Sequence, residues 1–176
     1  EELQKVLGRY GVDLRQDCWI TNAARCHPKN DQMPKGTVDY CRPYLIQAVA
    51  ELQPEIIIPL GSHAVQSLIG WLWKEDPEGI SRWAGWRIPY RRLNCWICPT
   101  WHPAALLHDE KNDVLKLLWE RHLEAACRLK GRPWREVKEF QTREIIDADE
   151  AADSVRAFTK RRGLVAWDIE TTMLKP

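Results

Sequence analysis

The chain has 176 residues, 44% of them hydrophobic and 29% charged, a composition that excludes intrinsic disorder and allows a packed core. Its formal net charge of +1 excludes a polycation, so any nucleic-acid footprint must be a local patch. No apolar run approaches the ~20 residues that a membrane-spanning helix needs. The opening Glu1-Glu2-Leu3-Gln4-Lys5 is charged and has neither an initiating Met nor a secretory leader. It reads as the start of a fragment of a longer protein from a cytoplasmic setting. There, the six cysteines are thiols or metal ligands rather than disulfides. Ten tryptophans exceed ordinary usage, so some are expected as stacking surfaces as well as core.

In chain order, Leu3, Val6, Leu7 and Tyr10 have helical spacing, with Gly11 as a stop. Cys18-Trp19-Ile20-Thr21 is short, apolar and β-prone, and is expected as a buried strand ending at Asn22. A polar loop with Pro28, Pro34 and Gly36 follows. Thr37 is expected to cap a helix running to about Leu52, with Tyr40, Tyr44, Leu45, Ala48 and Leu52 on one face. Beyond Pro54, Ile56-Ile57-Ile58 reads as a second strand, and Gly61-Ser62 opens a helix carrying Ala64, Val65, Leu68 and Ile69. Residues 74–94 read as irregular. Cys95-Trp96-Ile97-Cys98 is the third strand. A helix from about Glu110 to Leu129 carries Val114, Leu117, Leu118, His122 and Ala125. Strands alternating with helices imply a parallel sheet in an α/β layer fold.

After Lys130-Gly131-Arg132-Pro133 the composition shifts, and a charged linker over 131–140 is expected. A second α/β opening follows over 141–176: strand-like Arg143–Ile146, a helix from about Asp149 to Arg161, and strand Leu164–Trp167. One such unit buries too little by itself, so it reads as the beginning of a second domain.

Several residues carry chemistry. Asn22 and His102 both follow strands at the carboxyl edge, where open parallel sheets bind ligands. An Asn amide offers a donor and an acceptor to a base edge, and a His can donate to an oxygen gaining negative charge. A turn Asn and a structural His are the plainer alternatives. Gly61-Ser62 presents amides suited to a phosphate, or is an ordinary strand-to-helix turn. Arg82, Trp83, Trp86, Arg87, Tyr90, Arg91 and Arg92 interleave cations and aromatics, a pattern that can track a phosphate backbone and offer π-faces, or that marks a solvated loop over a Trp-rich core. Cys26 and Cys41 could form half of a zinc or iron–sulfur site. Cys95 and Cys98 could supply the other half of a zinc module, though their apolar strand favours two buried thiols. Asp168-x-Glu170 at a strand end places two carboxylates on one face, as divalent-cation binding for phosphoryl transfer requires.

The strings Ile20-Thr21-Asn22-Ala23-Ala24-Arg25-Cys26-His27-Pro28, Cys41-Arg42-Pro43-Tyr44-Leu45, Pro54–Gly61 and Pro99-Thr100-Trp101-His102-Pro103-Ala104-Ala105-Leu106-Leu107 together resemble the family-four, iron–sulfur uracil-DNA glycosylases over about residues 3–129. The tail Val165–Thr172 resembles the first motif of the 3′–5′ exonuclease domain of family A DNA polymerases. The resemblance implies a three-layer αβα domain with a central parallel sheet over 1–130. A truncated βαβ opening of a ribonuclease H-like exonuclease domain would follow, as in a phage-type replication protein.

It also implies roles. Asn22 would bind the uracil edge, and His102 would stabilise the departing uracil anion. Leu106 and Leu107 would wedge into DNA as the base flips. Gly61, Ser62, Arg87 and Arg91 would contact DNA, single- or double-stranded. Cys26 and Cys41 would be two of four ligands of a [4Fe–4S] cluster, and Asp168 and Glu170 would bind Mg2+ or Mn2+. The protein would act as a monomer in a bacterial or phage-infected cell. The family's amino-terminal Cys-x-x-Cys, its Gly-Glu-x-Pro-Gly motif and its uracil-stacking aromatic are not in this sequence, and His108 stands where the family usually has Arg. The rival reading is a non-catalytic DNA-binding or structural module that keeps the glycosylase fold.

Overall fold

The structure, a computed structural model, describes residues 1–25, 33–74, 77–108, 113–132 and 145–160. Its packing divides the chain into two compact units, Glu1–Arg135 and Glu136–Pro176. The first unit holds helices α1 (Glu2–Gly8), α2 (Thr37–Leu52), α3 (Ser62–Trp73), α4 (Pro103–His108) and α5 (Asp113–Cys127), with strands β1 (Ile56–Ile57), β2 (Ile88–Tyr90) and β3 (Cys95–Ile97). No helix among the described residues is long and apolar enough to cross a membrane.

The sheet has the order β1-β3-β2 and is mixed, where a wholly parallel one was expected. β1 and β3 pair in parallel, Ile56 opposite Trp96 and Ile57 opposite Ile97. β2 pairs antiparallel to β3, with Pro89 opposite Trp96. It lies in the stretch expected to be irregular. Three residues containing a Pro carry little strand signal, yet an edge strand tolerates the missing donor. A short 3-10 turn (Arg91–Leu93) and Asn94 in the left-handed region (φ 48°) reverse the chain between β2 and β3.

The strand expected at Cys18–Thr21 does not form. Trp19 and Ile20 are 68% and 64% exposed, and none of the three strands pairs with the segment. An apolar, β-prone run is only potential strand until a neighbour takes up its hydrogen bonds.

Two apolar clusters surround the sheet. Val6 and Leu7 of α1 join Trp119 and Leu123 of α5, with Ile58, Trp101 and Leu106 packed against them. Leu68 of α3 joins Cys95 and Ile97, with Leu45 of α2, Ile57 and Ile88 against them. Consecutive Ile57 and Ile58 enter different clusters, as side-chain alternation along a strand requires. Helix α2 has the expected bounds but a different buried face. Val38, Cys41 and Val49 are buried, while Tyr40 is 76% exposed and Tyr44 and Leu52 are also out. Thr37 is not its cap: Gly36 holds that place at φ 80°, and the Thr37 hydroxyl donates to the Pro34 carbonyl at 2.8 Å. On α5, Trp119, Leu123 and Ala126 are buried, while Val114, Leu117 and Leu118 are exposed. The largest side chain, Trp119, selects the inward face, because its burial removes the most apolar surface from water.

In the second unit, α6 (Ala148–Thr159) forms where a helix was expected, with the Asp147 carboxylate accepting from the Glu150 amide at 2.8 Å as its N-cap. Ile145 and Ile146, expected to end a strand, have no regular structure, and Ile146 is 90% exposed. The strand expected at 164–167 lies outside the described residues.

Cys95 and Cys98 are both buried. Burial pushes the Cys95 thiol up to about 11. It pushes Cys98 up to about 12, against the lowering influence of Arg87. Since the thiolate is the reactive form, both are expected to resist iodoacetamide at pH 8 in the folded protein and to react on denaturation. Pulsed alkylation read by mass spectrometry checks this, and rapid labelling of either in the native state overturns their burial.

Candidate functional site

The parallel pairing of β1 and β3 continues past the regular strands. Trp96 N donates to the Glu55 carbonyl at 2.8 Å, Cys98 N to Ile57 at 2.9 Å and Thr100 N to Pro59 at 3.0 Å. Gly61 N then donates back to the Thr100 carbonyl at 2.9 Å. These rungs carry the end of β3 and the start of α3 forward side by side. Gly61 therefore meets His102: a Cβ built on Gly61 would lie 3.0 Å from the His102 Cβ. With φ 84° and ψ 175°, Gly61 also occupies backbone space that only glycine enters readily. The turn is demanded twice, by conformation and by the neighbouring histidine.

His102 is exposed and opens α4. Its carbonyl accepts from Ala105 N at 2.9 Å, and its Nδ1 accepts from Ala104 N at 3.1 Å. An Nδ1 that accepts a hydrogen bond is bare. The proton of the neutral ring is then on Nε2, which is the ring's available donor. Ser62 and His63, beside Gly61, are exposed, and Ser62 Oγ accepts from Ile80 N at 3.3 Å. That bond ties the loop before β2 to the head of α3.

Asn22 is exposed, but it follows an irregular segment rather than the end of a strand. Leu106 and Leu107 part company on α4: Leu106 packs against the α1–α5 cluster, and Leu107 is 67% exposed. The expected wedge of two leucines is thus one exposed leucine and one anchor.

The basic and aromatic stretch also divides. Arg82 pairs with Glu78 at 2.7 Å and lies over the Trp83 ring at 5.8 Å, so the run is not free of acidic partners. Trp83 donates to the Pro77 carbonyl and stacks on Trp73, and Trp73 meets Tyr90 edge-on at 5.4 Å. Trp86, Arg87, Arg91 and Arg92 are exposed. Trp83 and Tyr90 are therefore half-buried against Trp73, with the cations of the run and Trp86 on the surface.

Cys41 is 2% exposed, and its Sγ accepts from Arg25 N at 3.4 Å. The backbone immediately before Cys26 therefore reaches Cys41. Cys26 itself, with Asp168 and Glu170, lies outside the described residues. Among the described residues no group of three or more His, Cys, Asp or Glu side chains is arranged to hold a metal ion. A four-thiolate cradle is thus not assembled from them.

One cluster beside the site was not foreseen. His122 of α5 comes within 3.1 Å of Thr100 Oγ1 through Nδ1 and stacks on Trp101, centroids 5.1 Å apart and planes at 21°. Burial lowers its affinity for a proton. Trp119 Nε1 donates to the Trp101 carbonyl at 3.0 Å. These partners are 18 and 22 residues apart in sequence, beyond the reach of local periodicity.

The family profile described as Uracil DNA glycosylase superfamily matches residues 1–124. Relatives named Type-4 uracil-DNA glycosylase include those of three organisms described next. That of Pyrobaculum aerophilum is 34% identical over 107 residues, covering 60% of this chain and 54% of the relative. That of Saccharolobus solfataricus is 32% identical over 125 residues, covering 68% and 55%. That of Thermotoga maritima is 24% identical over 128 residues, covering 67% and 59%. The chain spans about half the length of these relatives. Residues 125–176 lie outside the family match. With a mixed α/β unit whose β3–α4 junction presents His102 against Gly61, the chain belongs to the uracil DNA glycosylase superfamily.

Proposed function

We propose that this chain forms part of a uracil-DNA glycosylase, which hydrolyses the bond between uracil and deoxyribose in DNA. The observation that carries the reading is His102, which sits against Gly61 and whose Nδ1 is engaged by Ala104 N, leaving Nε2 as the ring's donor. As the C1′–N1 bond breaks, its electron pair leaves with uracil and charge gathers on the base oxygens. A fixed N–H donor aimed at such an oxygen strengthens as the charge grows, which lowers the barrier rather than merely aiding binding. Water then adds to C1′, and the proton it loses balances the charge of the uracil anion, which leaves as neutral uracil.

In this reading Asn22 hydrogen-bonds the uracil edge and leaves the amino group of cytosine without an acceptor. Gly61 and Ser62 bind a phosphate, Arg87 and Arg91 follow the DNA backbone, and Leu107 fills the gap left by the flipped base while Leu106 anchors its helix. The domain is a three-layer αβα unit that acts as a monomer in a bacterial or phage-infected cytoplasm. Cys26 and Cys41 would be two ligands of a [4Fe–4S] cluster, a reading supported by the Arg25 amide reaching the Cys41 sulfur. The segment 141–176 begins an exonuclease-like domain of a polymerase-type protein, with Asp168 and Glu170 as ligands of Mg2+ or Mn2+.

The test uses the full-length protein containing this chain and single- and double-stranded oligonucleotides with one uracil. Alkali should cleave the strand at uracil and leave thymine and cytosine controls whole. Binding of the same oligonucleotides without excision would instead establish the non-catalytic DNA-binding module.

A further inference from the structure

We propose that His122 is a positioning residue for His102, acting through Thr100 and Trp101; the proposal rests on the glycosylase reading of His102. His122 lies on α5, outside every motif that pointed to the site, yet its ring is held on three sides. Nδ1 is 3.1 Å from Thr100 Oγ1, one face stacks on Trp101, and Nε2 abuts Gly85. A Cβ on Gly85 would lie 2.5 Å from Nε2 and 2.9 Å from both Cδ2 and Cε1. Only a residue without a side chain lets the ring reach Thr100. Gly85 is itself fixed to the segment that follows β3, its amide donating to the Pro99 carbonyl at 2.9 Å.

The consequence falls on His102. Thr100 is 1% exposed, and its amide and carbonyl are already committed to Pro59 and Gly61. Its hydroxyl is the remaining handle, and His122 takes it. Trp101 is held by the His122 ring on its face and by Trp119 Nε1 at its carbonyl. His102 is the next residue, exposed, with an Nδ1 bond to Ala104 that orients its ring but does not tether it to the core. The placement of Nε2 therefore inherits the placement of residues 100 and 101. A displacement of about 1 Å at a reacting centre costs up to about 100-fold in rate.

Two variants separate this role from plain packing. His122→Phe keeps a flat ring against Trp101 and loses the bond to Thr100. Thr100→Val keeps the shape of the buried side chain and loses the hydroxyl. In the full-length protein, each is expected to lower kcat for uracil excision by about tenfold with KM nearly unchanged. The double variant should lose no more than the larger single loss, since both remove one bond. In the chain labelled with 15N, the His102 imidazole resonances should move in both variants. Wild-type kcat in both, or a lowered melting temperature with kcat and the His102 resonances unmoved, overturns the proposal. If the unsubstituted protein excises no uracil, the glycosylase reading fails by itself, and the His102 resonances alone decide whether His122 positions that ring.

Discussion

Replacing His102 with alanine is expected to slow uracil excision by about 10²- to 10³-fold. The loss should appear in kcat, because the Nε2–H bond gains most of its strength only when the base oxygen becomes an anion. Ground-state binding of the oligonucleotide should change little, since DNA affinity comes chiefly from phosphate contacts elsewhere. Folding should also survive. The substitution removes the Nδ1 bond that Ala104 N donates to, at the head of a six-residue helix. A single hydrogen bond of this kind contributes about 1 kcal/mol. Single-turnover kinetics on a uracil oligonucleotide, with circular dichroism to confirm the fold, give the comparison. An unchanged rate constant removes His102 from the chemistry.

Trp119→Ala is expected to destabilise the first unit by about 3–5 kcal/mol, the range for deleting a buried Trp side chain. Trp119 is 0% exposed and lies in the cluster of Val6, Leu7 and Leu123. Its indole N–H also donates to the Trp101 carbonyl. The substitution leaves a cavity between α1 and α5 and an acceptor with no partner on the strand end that precedes His102. Since a domain holds only about 5–15 kcal/mol in all, the loss is a large share of the total. Urea denaturation should show a lower midpoint with little change in slope. Trp119→Phe retains most of the packing and should cost about 1–2 kcal/mol, mostly for the stranded carbonyl. A midpoint equal to that of the native chain for the alanine variant would show that α5 is not held by this residue.

The exposed strand-end histidine and the interior behind it differ in how far they could be read. His102 lies beyond Pro99, which closes the apolar run Cys95–Cys98, and that local pattern was enough to set it past the end of β3. Asn22 follows a similar pattern, but there the expected strand is absent and Trp19 and Ile20 are exposed. The two cases had nearly the same local signal. They differ because Cys95–Ile97 has β1 on one side and β2 on the other, while Cys18–Thr21 pairs with none of the three strands. Leu106 and Leu107 show the same limit within one helix, since adjacent identical residues take opposite environments once α5 lies beneath one of them.

Features that depend on neighbours along the chain were legible in the residues alone. Helix α2 starts and stops where Pro34-x-Gly36 and Pro54 allow, α3 begins at the glycine turn after an apolar strand, β1 lies between Pro54 and Pro59, and β3 is an apolar run that ends before Pro99. Features that depend on distant partners came only with packing. It added β2 antiparallel at the edge, turned Tyr40 out and Cys41 in on α2, and brought Arg25 to Cys41 and His122 to Thr100. The physical reason is one of range. Helix periodicity and turn chemistry are written in adjacent residues, whereas strand pairing, the choice of buried face and the contacts that hold His102 in place depend on which surfaces lose most water when the whole unit packs.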